Sequence, residues 1–178
     1  MKKGITNGFF LTLLMLFFIK IAYAEGPMPA APPSSKEFEM LKTLLGKWEG
    51  TQAAKDSKEQ VQVDYHLSSG GTAIVETLFP GTPHEMISVY HDEHGKLVMT
   101  HYCMLGNQPK MAVNKMTTSE LNFDFVHSPG VPKITDRHMH ALNIAFNDKN
   151  TITESWSSYN KGKEEDKTIF KLNRLPTE

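Results

Sequence analysis

The chain of 178 residues has one cysteine, Cys103, so no disulfide can form within it. Its fold must be held by a packed core, and a domain of about 150 residues buries enough surface to manage that. Beyond residue 24 lysine and arginine are scattered singly, with no basic cluster. This excludes the electrostatic footprint of a nucleic-acid binder and of a protein held on an anionic membrane. Beyond residue 24 no apolar run approaches the roughly 20 residues that a membrane-spanning helix needs. Gly-x-Ser-x-Gly is absent, as are a phosphate-cradling glycine loop and a dinucleotide fingerprint. No helical pattern alternates with the strand-like segments, which excludes a parallel βαβ architecture.

The N-terminus carries the marks of an export signal. Lys2 and Lys3 precede an almost unbroken apolar run over residues 9–19, and Ala22-Tyr23-Ala24 is a small-x-small cleavage site. The run is too short to span a bilayer. Residues 1–24 are therefore read as a cleaved signal peptide, and the periplasm or the medium as the destination. They contain three of the 19 basic residues and none of the 20 acids, so the mature chain would carry 16 against 20, a net charge of −4. Residues 25–35, rich in Pro, Ala and Ser, read as an extended, disordered leader. The rest, residues 36–174, suits one domain.

That domain opens with a helix over residues 36–45. Ser34 or Ser35 can cap it, and Phe38, Leu41, Leu44 and Leu45 recur at helical spacing. Gly46 is placed to end it. From there the period changes to two. Val61, Val63, Tyr65 and Leu67 alternate with polar residues, and further strand-like segments come after them, separated by turn signals such as Asp92-Glu93-His94-Gly95 and Asn147-Asp148-Lys149-Asn150. About ten strands with short connections predict an all-β fold, a single antiparallel up-and-down barrel with a short N-terminal helix. Trp48, in Gly46-Lys47-Trp48-Glu49-Gly50, is expected to plug one end.

Alternate side chains of a small barrel face a common interior. Several polar groups fall on that phase. Leu97, Met99, His101 and Cys103 share a side, as do His138, His140, Leu142, Ile144 and Phe146. Glu76 sits between Ile74 and Leu78, and Glu154 between Ile152 and Trp156. A polar group buried among apolar ones costs several kcal/mol unless it is hydrogen-bonded or binds something. Three readings are open. The groups form a satisfied internal network; or they line a ligand pocket made of Glu76, His101, Tyr102, Cys103, His138, His140, Glu154 and Trp156; or His101, Cys103, His138 and His140 ligate a metal. Two intervening strands, at about 4.8 Å each, would set the two pairs some 14 Å apart along the wall. Haem is a special case of the pocket reading, requiring an axial histidine in a wide apolar cavity. His66, His84, His91, His94 and His127 fall in turns, at strand ends or on outward faces.

The segment Leu44-Leu45-Gly46-Lys47-Trp48-Glu49-Gly50 resembles the Gly-x-Trp entry of calycin-type barrels, which include lipocalins, fatty-acid-binding proteins and nitrobindin-like haem barrels. Several further stretches resemble an uncharacterised family of secreted bacterial proteins: residues 69–71, 76–81 and 84–86, then His101-Tyr102-Cys103 and Gly106-Asn107-Gln108-Pro109. The resemblance implies a fold and a pocket and names no cofactor. The expected function is binding of a small, largely apolar molecule. An enzyme using the interior His/Glu cluster, with or without a metal, and a structural barrel with a filled lumen are the alternatives. Oligomeric state is left open.

Overall fold

The computed structural model describes residues 33–54 and 57–176. The expected signal peptide and most of the leader lie outside the described residues. After a short helix, α1 (Lys36–Lys42), come ten strands: β1 (Gly46–Ala54), β2 (Ser57–Ser68), β3 (Ala73–Leu78), β4 (Met86–Glu93), β5 (Lys96–Tyr102), β6 (Gln108–Met116), β7 (Glu120–Gly130), β8 (His138–Phe146), β9 (Thr151–Asn160) and β10 (Lys163–Arg174). Each pairs antiparallel with its sequence neighbours, and β1 pairs with β10 to close the barrel. No helix among the described residues is long and apolar enough to cross a membrane.

Up-and-down topology sorts the connections onto two ends. Turns after β2, β4, β6 and β8 share one end with the helix and the start of β1. The connections 79–85, 103–107, 131–137 and 161–162 form the other end, the mouth.

Physical detail at the helix end explains why it is shut. Ser35 caps α1, its Oγ accepting the Phe38 N–H at 3.0 Å. The same serine donates from its backbone N and its Oγ to the Asp92 carboxylate, both at 2.6 Å, which fastens the helix to the end of β4. Phe38, Leu41 and Leu44 are buried in one apolar cluster with Trp48, Leu97, Leu121 and Ile152. The helix is shorter than its apolar stripe predicts. It stops at Lys42, with Thr43 as C-cap, because Leu44 and Leu45 belong to the turn that leads into β1. Gly46 begins β1 rather than closing the helix, at φ 119°, a value that favours glycine.

Gly50 has a separate reason. A Cβ built there would stand 1.9 Å from the Lys171 carbonyl oxygen of β10. Only a residue without a side chain lets the first and last strands come together at this seam.

The ladders break register in three strands. In β6 the shifts fall between Gln108 and Lys110 and between Val113 and Lys115; in β10 the shift falls between Glu164 and Asp166. In β8 it falls between Met139 and Ala141, and this one decides where the two β8 histidines lie. β7 also runs on through Ser128-Pro129-Gly130, where the sequence signals a break.

Candidate functional site

The lumen is divided. The part toward the helix end is solid with side chains. Above it, at the mouth, a cavity of about 510 Å³ opens. Its wall includes Leu78, Phe79, Met86, Met139, Trp156 and Phe170, with Gln52, Glu59, Gln60, Thr82, His84 and Thr168 toward the rim. His101 and Cys103 contribute from β5 and the loop after it, and Met104 from the same loop. The deeper wall is apolar and sulfur-bearing and the rim is polar, a make-up that suits a small-molecule site.

His101 is the notable member. It is 1 % exposed, yet lines the cavity. The β4–β5 register sets it opposite Ser88, whose Oγ lies 3.0 Å from His101 Nδ1. On its other side the ring meets Trp156, centroids 4.8 Å apart. Burial pushes its pKa down to about 4, so the imidazole is neutral near pH 7. Nε2 makes no hydrogen bond among the described residues.

One layer toward the helix end lies a polar network. Glu76 and Glu154 are fully buried, as are Tyr65 and Tyr90. The Tyr65 hydroxyl is 2.6 Å from Glu154 Oε1 and 3.0 Å from Glu76 Oε1. Tyr90 donates to Glu76 Oε2 at 2.7 Å, and Trp156 Nε1 donates to Glu154 Oε2 at 3.2 Å. Burial raises both carboxyls, and the charge of Glu76 raises Glu154 further. Glu76 is partly held back by hydrogen bonds from Tyr90, Ser88, Tyr65 and Glu154. One tyrosine hydroxyl has one proton, so Tyr65, held between two carboxyls, requires one of them to donate. Neither carboxyl is among the cavity-lining groups.

The remaining expected site residues fall outside the cavity. Tyr102 alternates outward between His101 and Cys103 and is 51 % exposed. His138 and His140 do not line the cavity; Met139 does. The expectation that they share a face with Leu142 and Ile144 is corrected by the β8 bulge, which inserts His140 as an extra residue and reverses the phase of the strand before it. The two rings lie together, His138 Nε2 and His140 Nδ1 being 3.0 Å apart, with Tyr159 stacked on His140 at 3.9 Å. His138 Nδ1 lies 2.7 Å from the Asp136 carbonyl oxygen, which can only accept. Nδ1 therefore bears a proton. Among the described residues no group of three or more His, Cys, Asp or Glu side chains is arranged to hold a metal ion. His101 and Cys103 line the mouth, and the β8 pair lies elsewhere.

Trp48 is fully buried at the shut end, its Nε1 donating to the Leu44 carbonyl at 2.7 Å. Arg174, which sequence reasoning missed, covers its ring. Tyr65, Tyr90 and Ser88 were missed as well.

No protein-family model matches the chain, and no curated protein matches it. Solved structures do. One is a protein of unknown function from the DUF3598 family of Nostoc punctiforme PCC 73102, with a TM-score of 0.54 and 13 % identity, covering 76 % of this chain. This chain spans about half of that protein, 49 % of its length. Another is Rv2717c from M. tuberculosis, with a TM-score of 0.52 and 16 % identity over 81 % of this chain and 100 % of that one. At such identities the likeness is one of fold alone.

Proposed function

We propose that this chain is an exported, calycin-like barrel that binds a small, largely apolar molecule in the cavity at its mouth. The observation that carries the reading is the cavity itself. About 510 Å³ stays open above a lumen that is otherwise filled, and the His101 ring is one of the groups that line it. A protein needing only stability would gain by filling that space, since an unfilled cavity forfeits packing. The apolar run and small-x-small site at the N-terminus support export, to the periplasm or the medium.

The acid–base reading has less support. Glu76 and Glu154 are fully buried and neither lines the cavity, so neither carboxyl is placed to reach a bound molecule. Native mass spectrometry of the mature protein from its own host tests the proposal. An organic mass that leaves on denaturation is expected. A bare polypeptide, together with no saturable uptake of apolar probes, would refute it.

A further inference from the structure

We propose that His138 Nε2 and His140 Nδ1 together form a two-imidazole site for a divalent transition-metal ion, copper(II) in preference to zinc(II), with water completing its coordination.

The two atoms already stand close to where such an ion needs them. They are 3.0 Å apart. Two nitrogens bound to one ion at about 2.0–2.1 Å, and set about 90–109° apart around it, are separated by about 2.8–3.4 Å. The observed spacing lies inside that span. The ion therefore asks for a tilt of the rings and not for a shift of the strand.

The other two ring nitrogens suit the role as well. His138 Nδ1 lies 2.7 Å from the Asp136 carbonyl oxygen, and a carbonyl can only accept, so Nδ1 holds a proton. In the neutral ring Nε2 is then the nitrogen with the lone pair. Ligating histidines commonly donate their other N–H to a carbonyl in this way, which fixes the orientation of the ring. His140 Nε2 makes no hydrogen bond among the described residues. It can take the proton when Nδ1 turns its lone pair to the metal, so a neutral pair binds the ion without losing a proton.

Aromatic neighbours hold both rings in place. Tyr159, opposite His138 on β9, stacks on His140 at 3.9 Å. Phe125 of β7 packs on both histidines, with centroids 4.5 Å from His138 and 5.5 Å from His140. Rings fixed in this manner lose little freedom when they bind. His138 is buried and His140 half-buried, so the ion reaches the pair from the His140 side.

Imidazole suits copper, nickel and zinc, and the affinity of a given site peaks at copper. Among the described residues no third His, Cys, Asp or Glu is arranged to join the pair, so water takes the remaining positions. Met139 lines the cavity and neither histidine does. The site is thus separate from the cavity and independent of what the cavity holds.

Zinc(II), being diamagnetic, can be titrated into the histidine-labelled mature protein and followed by nitrogen-15 NMR. Coordination shifts are expected on His138 Nε2 and His140 Nδ1, and on no other histidine nitrogen. Calorimetry with copper(II) should give one tightly bound ion per chain, held more tightly than zinc(II), and electron paramagnetic resonance should count two imidazole nitrogens on it. His140→Phe keeps an aromatic ring against Tyr159. It should weaken copper(II) at least about tenfold, since losing even an outer partner of a ligand costs about 10–100-fold, while the circular dichroism of the metal-free protein stays unchanged. His84→Gln, at the rim of the cavity, should leave the affinity as it was. Zinc shifts on other histidines alone, a single imidazole on copper, equal copper affinity in His140→Phe and the parent, or no bound ion would each overturn the proposal. The zinc spectra of the parent protein decide the matter even where a variant fails to fold.

Discussion

The guanidinium of Arg174 lies 4.2 Å from the centre of the Trp48 ring, so the last strand of the barrel covers the first. The same guanidinium donates to the carbonyls of Leu45 at 2.7 Å and Thr43 at 2.5 Å, while Trp48 takes that of Leu44. Three carbonyls beyond the end of α1, which the short helix leaves without partners, are thus satisfied by two side chains. One contact joins the helix, the start of β1 and the end of β10.

Arg174→Ala should therefore cost about 2 kcal/mol or more, through three lost charge-assisted hydrogen bonds, the third to the Lys149 carbonyl at 3.2 Å, and a lost cation–π contact. Arg174→Lys should recover little of it, because an ammonium cannot fork between two carbonyls while lying flat on indole. Trp48→Ala should cost about 3–5 kcal/mol. Urea unfolding of both single variants and the double variant checks this. If Trp48 and Arg174 act as a unit, the double costs less than the sum.

Gly50→Ala should destabilise by about 1–3 kcal/mol or more, since the added methyl collides with the Lys171 backbone and not with a movable side chain. Gly81→Ala is a useful contrast. Its φ of 72° is strained for alanine, but nothing lies within 4 Å of its Cβ, so it should cost only about 1 kcal/mol. Thermal unfolding of the two variants side by side reads the difference.

His101 sets an acid limit. Its pKa is about 4 in the fold against 6.5 for the free side chain. Between those values the unfolded chain holds a proton that the folded chain refuses. Stability should fall as pH drops from about 6.5 to 4, by about 3 kcal/mol in all. His140 is displaced the same way by burial and adds to this slope. Chemical unfolding at a series of pH values measures the slope, and His101→Phe should flatten most of it.

The carboxyl pair acts in the opposite direction. Burial raises both, so each contributes stability that is complete below the ordinary value of 4.5 and is lost as pH rises through the folded value. Burial and then the charge of Glu76 raise Glu154, so the proton of the pair is expected there, and Glu154→Gln should change stability by less than about 1 kcal/mol at pH 7. Glu76→Gln sets an amide NH₂ against hydroxyls that now donate, and should cost about 2–3 kcal/mol. The difference between the two variants, measured at one pH, assigns the charge.

The strands could be read from the sequence because period two is a strong signal: Val61, Val63 and Tyr65 on β2 show it without interruption, and all three are buried. His101 was found the same way, as a polar residue on an inward phase. His138 and His140 looked identical in kind, and the difference is one inserted residue. A bulge shifts phase without altering composition, so nothing local distinguishes a histidine before it from one after. Tyr65 and Tyr90 were passed over because an inward tyrosine looks apolar until its hydroxyl needs a partner. Arg174 did carry a signal: Phe170, Leu172 and Arg174 share a face, and a cation on the core side of a last strand needs a partner inside. Ser88 carried almost none, since its role depends on what lies across the β3–β4 pair.

A lumen packed at one end and hollow at the other makes a cup and not a tube. Whatever enters must leave by the way it came, past the segments 79–85 and 103–107, because Phe38, Leu41 and Trp48 block the far side. For a molecule bound as proposed, capture and release would share one gate, so anything that sped one by loosening those two segments would speed the other, and residence time could be changed there without changing affinity.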